Sequence, residues 1–149
     1  MKKILIQANN LDVVIDTFLY IYYHPNCVKQ DLANYCGFTL RQVDYYTNAC
    51  KYLDLIDDHW KLTPLAKDIV FNNPAEITER IYERIITDEL MGPIFARMYV
   101  LPSSNYSEYA LELVKEYYPG YSDAVYVRRS DNIVKWCKRI INDINIKHK

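Results

Sequence analysis

Residues 40–57, LRQVDYYTNACKYLDLID, are the stretch that decides the fold. Apolar side chains recur there every three or four residues, which places them on one side of an α-helix. They are Leu40, Val43, Tyr46, Cys50, Leu53 and Ile56. Thr39 precedes the run and Gln42 follows three residues later, the pattern of a capping box at a helix start. The stretch therefore predicts a helix over residues 40–56 with Thr39 as its N-cap.

A shorter helix and a glycine precede this one. Residues 28–36, VKQDLANYC, have helical apolar spacing, and Gly37 follows them in the position that commonly ends a helix. Two helices joined by a short turn with a glycine at the bend are typical of a helix-turn-helix. An apolar helix over residues 11–23, ended by Pro25, comes before both.

Residues 55–63, LIDDHWKLT, predict a short hairpin after the helix-turn-helix. Two brief extended pieces flank Asp57, Asp58 and His59, and Pro64 suits the first position of a further helix. A recognition-type helix followed by a small hairpin is the winged-helix plan. The wing would be a few residues long, tipped by His59 and Lys61.

The rest of the chain has helical patterns throughout. Helices are predicted over residues 75–88, 90–100 with a bend at Gly92 and Pro93, 106–118, and from a Ser122 cap to about residue 144. The last two repeat the order helix, glycine, cap and helix, which predicts a second helix-turn-helix. We expect a mainly all-α protein of 149 residues, with a winged helix and very short β wing in residues 1–73. Residues 74–149 would form a helical lobe, and the two parts would pack as one unit.

Basic residues are concentrated at the carboxyl end. Residues 126–149 contain seven basic and two acidic side chains, whereas the other 125 residues contain eleven basic and seventeen acidic ones. Charge distribution, more than the near-zero total, decides whether a surface can bind phosphate. The terminal helix is therefore a candidate surface for nucleic acid.

A family resemblance extends over roughly residues 10–145. The residues that carry it are Phe38, Arg41, Gln42, Tyr45, Tyr46, Ala49, Tyr52, Leu53, Leu55, Leu62 and Thr63, with a later GPIFARMYV and SDAVYVRRSDNIVKW. They resemble a winged-helix DNA-binding module associated with bacterial type II restriction endonucleases. Asp54 stands where that module has glycine, and Val125 where it has threonine. The resemblance implies DNA binding in a restriction-modification or defence setting, and it does not imply that this chain cuts DNA.

The polar side of helix 40–56 supplies the first candidate site residues. Residues 41, 44, 45, 48 and 52 are expected opposite the apolar stripe. Arg41 suits guanine or a phosphate, Gln42 and Asn48 suit adenine or the backbone, and Tyr45 can donate to a phosphate oxygen. Lys51 and Lys61 complete this group. The competing interpretation is a solvated or partner-facing surface, since any amphipathic helix has a polar face and Asp44 would repel phosphate.

Arg128, Arg129 and Lys135 form the second group of candidates, on the terminal helix. Paired guanidinium groups bind phosphates well. The alternative is that one arginine forms a salt bridge with an internal acid such as Glu83 or Asp88.

No catalytic, metal or cofactor motif emerges from the chain. The carboxylate–lysine pairs that a nuclease centre needs are limited to Asp58 with Lys61 and Glu112 with Lys115, neither in a strand context. The four cysteines lack the spacing of a zinc site, so reduced thiols in a cytoplasmic protein are expected.

We therefore expect a non-enzymatic protein that binds double-stranded DNA, without a cofactor and without a membrane segment. It would be either a stand-alone protein or the recognition module of a larger restriction enzyme. A protein-interaction module or a transcriptional regulator on the same fold is the alternative. Trp60 and Trp136 are expected in the core, and the aromatics of helix 11–23 suggest a homodimer surface.

Overall fold

A computed structural model describes residues 3–148, and this part of the chain is mainly helical, as the sequence predicts. Eight α-helices and one 3-10 turn lie within the described residues. They are α1 (Leu11–Tyr23), α2 (Lys29–Cys36), α3 (Leu40–Tyr52), α4 (Pro64–Asn72), the 3-10 turn Pro74–Glu76, α5 (Ile77–Ile86), α6 (Met91–Val100), α7 (Tyr106–Tyr117) and α8 (Asp123–Lys147).

The described residues form two compact units. The N-terminal unit contains residues 3–8 and 12–81, and the C-terminal unit contains residues 9–11 and 82–148. The division falls within α5, after Ile81. Both units contain buried apolar side chains, among them Phe18 and Leu55 in the first and Ile94 and Trp136 in the second.

The turn between α2 and α3 has the predicted local structure. Gly37 lies in the left-handed region at φ 70°, where glycine meets no steric penalty. The Thr39 Oγ accepts a hydrogen bond from the Gln42 N–H at 3.2 Å, and the Gln42 Oε1 accepts one from the Thr39 N–H at 2.9 Å. This closed capping box fixes where α3 begins. Phe38 stacks on Tyr46 with ring centroids 4.8 Å apart, which anchors the turn to the core.

The end of α3 differs from the sequence prediction. The helix stops at Tyr52 and does not continue to residue 56, because Asp54 adopts a left-handed conformation at φ 60°. That conformation is the one glycine takes most easily, and Asp is among the few other residues that visit it. Leu40, predicted in the apolar stripe, is 49% exposed, whereas Tyr52, predicted on the polar side, is buried.

Residues 55–63 form a tight reversal of the chain. An isolated antiparallel bridge joins Ile56 to Leu62, and no strand occurs within residues 3–148. The Asp57 N–H donates to the Lys61 carbonyl at 2.9 Å. At the tip, the Asp57 Oδ1 accepts from the backbone N–H groups of His59 and Lys61 at 2.8 and 2.9 Å. These bonds give the segment, here called the α3–α4 turn, a fixed shape.

Trp60 has an unusual backbone in the α3–α4 turn. Its φ of 61° is rare for a bulky side chain, and its N–H donates to the Asp57 carbonyl at 3.0 Å. The side chain is half-buried, so the sequence prediction of a core anchor is only partly met.

The C-terminal unit is built around α8. Trp136 is fully buried, which confirms its predicted place in the core, and Ile133 and Ile140 are buried beside it on the inner side of α8. The Ser122 hydroxyl caps α8 by accepting from the Val125 N–H at 3.3 Å, also as predicted. The Tyr126 hydroxyl bonds both the Tyr118 carbonyl and the Tyr121 N–H, and so ties the end of α7 to the start of α8.

The sequence predicts a bend at Gly92 and Pro93 within a helix over residues 90–100. In the structure both residues lie at the start of α6 and do not bend a longer helix. Proline is tolerated there because the first N–H groups of a helix have no partner within it. Gly92 is required for a different reason. A Cβ at that position would lie 2.5 Å from the carbonyl oxygen of Ile86, the last residue of α5.

Candidate nucleic-acid interface

The outer side of α3 is accessible to solvent. Arg41 and Gln42 are exposed, and Tyr45 and Asn48 are half-exposed. The Arg41 guanidinium lies over the Tyr45 ring, 5.7 Å from its centroid. This contact follows from their spacing of four residues, which brings them onto the same helix face. Arg41, Tyr45 and Asn48 thus lie on one accessible face of α3, here called the α3 strip.

The strip is narrower than the sequence suggests. Tyr52 is buried at its carboxyl end, where the Lys3 ammonium donates to the Tyr52 carbonyl at 2.7 Å and lies over the Tyr52 ring. Thr47 is also buried, with its hydroxyl bonded to the Val43 carbonyl at 2.9 Å. The accessible side of α3 therefore runs from Arg41 to Asn48, with Lys51 half-exposed beyond it.

Gln42 is placed differently from the other candidates. Its side-chain oxygen is bonded within the capping box, so only the amide NH₂ group is available for an outside partner. Reading adenine with two bonds requires an oxygen and a nitrogen of the same amide. In this structure Gln42 helps to fix the start of α3, and bonding adenine through both amide atoms would require its side chain to leave the capping box.

Two ion pairs flank the α3 strip. Lys29 Nζ, at the start of α2, lies 2.8 Å from Asp44 Oδ1, and Lys51 Nζ lies 3.8 Å from Asp58 Oδ1 in the α3–α4 turn. Each pair is accessible to solvent, so its contribution to stability is below about 1 kcal/mol. Their main effect is on the electrostatic potential beside the strip, because the ammonium group of each pair partly cancels the negative charge of Asp44 or Asp58.

Lys29 was not among the residues that the sequence indicated. It is adjacent to the strip only because the turn at Gly37 brings the start of α2 to the side of α3, a tertiary contact without a periodic signal. An open groove of 440 Å³ lies beside these pairs, with Lys29, His59, Trp60 and Lys61 among its lining residues.

Lys61 is exposed on the α3–α4 turn, where its backbone is held by Asp57. The N–H groups of Lys61 and His59 bond the Asp57 carboxylate and lower its pKa below the usual value. The charged form of Asp57 thus maintains the conformation that presents the Lys61 side chain.

Arg128, Arg129 and Lys135 lie on α8 in the C-terminal unit. Arg128 is exposed, whereas Arg129 is half-buried and has interactions of its own. Successive helix residues point about 100° apart, so the two arginines leave α8 in different directions. Lys135 Nζ lies 3.2 Å from Asp131 Oδ2, one turn earlier. The predicted second group is therefore three separate side chains with different surroundings.

Within residues 3–148, no group of three or more His, Cys, Asp or Glu side chains is arranged to hold a metal ion. Over the same residues, no helix has the length and apolar character needed to cross a membrane.

The sequence matches, over residues 13–145, the family described as domain of unknown function DUF7226. The chain belongs to this family. The matched region contains both the α3 strip and most of α8. No curated protein and no solved structure matches the chain.

Proposed function

We propose that this chain binds double-stranded DNA, with α3 in the major groove and the α3–α4 turn acting as a short wing. It does so in a restriction-modification or defence setting, either alone or as the recognition module of a larger enzyme. The observation that carries the proposal is the α3 strip, in which Arg41, Tyr45 and Asn48 are accessible on a helix fixed by a closed capping box. A major groove about 12 Å wide accommodates one α-helix.

The roles follow from the chemistry of each side chain. Arg41 bonds guanine O6 and N7 or a phosphate, and its position over Tyr45 restrains the guanidinium before binding. Tyr45 donates its hydroxyl to a phosphate oxygen. Asn48 takes no part in the capping box, so it can bond adenine through both the oxygen and the nitrogen of its amide. Lys61 on the wing contacts the backbone beside them.

The acidic side chains near the strip weaken binding without preventing it. Asp44 and Asp58 are each paired with a lysine, so their repulsion of phosphate is partly cancelled. DNA contact would draw Lys29 and Lys51 toward phosphates and leave these carboxylates less shielded. We therefore expect moderate affinity and a strong salt dependence.

The test is a titration of the full chain against labelled duplexes at several salt concentrations. If about four cationic groups contact phosphates, the logarithm of the binding constant should fall with the logarithm of salt concentration with a slope of about −3.6. Arg41→Ala should weaken binding by about five- to 150-fold, since a two-bond contact contributes about 1 to 3 kcal/mol.

Lys67→Ala is the matched control, because it removes one positive charge from an exposed position on α4. Equal binding by wild type and the Arg41→Ala, Tyr45→Phe and Asn48→Ala variants would refute the assignment of α3 as the reading helix.

A second candidate function is docking to another protein, and one observation favours it. Three rings, those of His24, Tyr20 and Tyr35, stack in series with centroids 4.1 and 4.5 Å apart. Tyr35 is 61% exposed, and Tyr23, which precedes His24 in the chain, is 68% exposed. Such a surface suits a second copy of the chain or another protein, and binding there would depend little on salt.

Sedimentation of the wild-type chain and of a Tyr23→Ser/Tyr35→Ser variant would test the homodimer. A monomer at all concentrations for both proteins would rule it out.

A further inference from the structure

The C-terminal unit contains a cleft between α7 and α8 that the DNA-binding proposal does not use. Its volume is 340 Å³, near the lower end of the range of about 300 to 1,000 Å³ for small-molecule pockets. Residues of both helices form its lining: Ser107, Glu108 and Leu111 from α7, and Val127, Arg128, Ser130, Asp131 and Val134 from α8.

The cleft exists because small side chains meet there. Ser130 is buried, and its hydroxyl bonds the Val127 carbonyl of its own helix at 3.2 Å, so it fills little of the space between α7 and α8. The Tyr126 hydroxyl fastens the other end of the same two helices. The two helices that form the walls of the cleft are thus tied together at that end.

The floor of the cleft is apolar. Leu111 and Val134 line it from opposite helices, and Val127 is 55% exposed although it is a β-branched apolar residue. An apolar body placed there would remove the Val127 side chain from water.

The charged groups at the cleft differ in whether they have hydrogen-bond or ion-pair partners. The Asp131 carboxylate is 3.2 Å from the Lys135 ammonium, and the Glu108 Oε2 accepts from the Asn105 amide at 2.9 Å. The Arg128 guanidinium, by contrast, has no hydrogen-bond or ion-pair partner among residues 3–148. Of the three charged lining groups, the one without a partner is thus a cation, and a guanidinium group binds carboxylates through two parallel bonds.

We propose that this cleft binds a small organic carboxylate with an apolar body. The carboxylate pairs with Arg128, and the apolar body lies against Leu111, Val127 and Val134. The same chemistry is offered by a free carboxylic acid and by the carboxyl terminus of a peptide that ends in an apolar residue.

The experiment is an NMR titration of the ¹⁵N-labelled full chain with phenylacetate. Saturable shifts of the backbone amide signals at residues 107–111 and 127–134 are expected. Phenylacetamide, which has the same shape without the charge, should bind at least tenfold more weakly. A dipeptide ending in leucine, with a free or an amidated carboxyl group, distinguishes a chain terminus from a free acid.

Two variants isolate the roles of charge and space. Arg128→Gln should reduce phenylacetate affinity at least tenfold, whereas Lys138→Gln removes a charge from the same helix outside the cleft and should leave it unchanged. Ser107→Trp, at an exposed rim position, should block the cleft without altering the core. Shifts that do not saturate, that spread over both units, or that phenylacetamide reproduces equally would overturn the proposal.

Discussion

Neutralising the two carboxylates beside the α3 strip should strengthen DNA binding. In Asp44→Asn and Asp58→Asn the side-chain size is kept, and Lys29 and Lys51 lose the partners that now lie 2.8 and 3.8 Å away. Each lysine then becomes available to a phosphate, and one source of repulsion disappears.

The magnitude follows from the exposure of these groups. At a separation of about 7 Å in water, repulsion between a carboxylate and a phosphate is about 0.6 kcal/mol, or roughly threefold in Kd. We expect about threefold tighter binding for each variant and roughly tenfold for the double variant, since the two sites have no partner in common. The free energy of unfolding should fall by less than about 1 kcal/mol per variant, because both pairs are accessible to solvent.

Fluorescence anisotropy with a labelled duplex at 50 and 500 mM salt is the assay. The gain should be largest at low salt, because at 0.1 M the screening length is already about 10 Å and it shortens further as salt rises. Asp16→Asn, an exposed carboxylate on α1, is the control for a general change in net charge. Unchanged or weaker binding by the double variant, or an equal gain from Asp16→Asn, would show that these carboxylates do not border the DNA site.

Three further outcomes concern the fold. Thr39→Ala should lower the free energy of unfolding by about 1 kcal/mol in urea titrations and Thr39→Ser much less, because only the serine can keep the cap of α3; equal losses would contradict the capping role. The conformation of the α3–α4 turn should be stable above the unfolded pKa of Asp57, about 3.9, and should be lost as the pH falls through the lowered pKa of the folded state. Trp60 fluorescence can follow this loss. An Asp57→Asn variant with the same acid transition would contradict the role of Asp57. Burial raises the pKa of Cys50 and Cys137 to about 12, so a thiol reagent at pH 8 should modify the other two cysteines first; early labelling of Cys50 in the folded chain would contradict its placement.

The sequence predicted those features that depend on neighbouring residues. The Thr39–Gln42 box and the Ser122 cap each arise from side chains within three residues of the backbone they bond, and the bend at Gly37 arises from the left-handed conformation that glycine adopts without penalty. The burial of Trp136 on α8 could also be predicted, because apolar residues recur at helical spacing on both sides of it.

Features that have no local signal in the sequence were not predicted. Helix α3 ends early because the backbone of Asp54 adopts a left-handed conformation. An aspartate in a sequence predicts this conformation much less reliably than a glycine does. Tyr52 is buried despite its position on the polar side, and Lys3, from a distant part of the sequence, contacts its carbonyl and its ring. The partner of Asp44 and the cleft beside Ser130 are likewise tertiary, so no pattern along the chain reveals them.

Gly92 has a consequence for how this family can diverge. The Ile86 carbonyl leaves no room for a methyl group at position 92, so a change there must be accompanied by a shift of the α5–α6 junction. Its exposed neighbour Pro93 has no such constraint. Among homologous chains we expect residue 92 to stay fixed while residue 93 varies, so a relative with a larger residue at 92 would mark a lineage whose α6 has been reoriented.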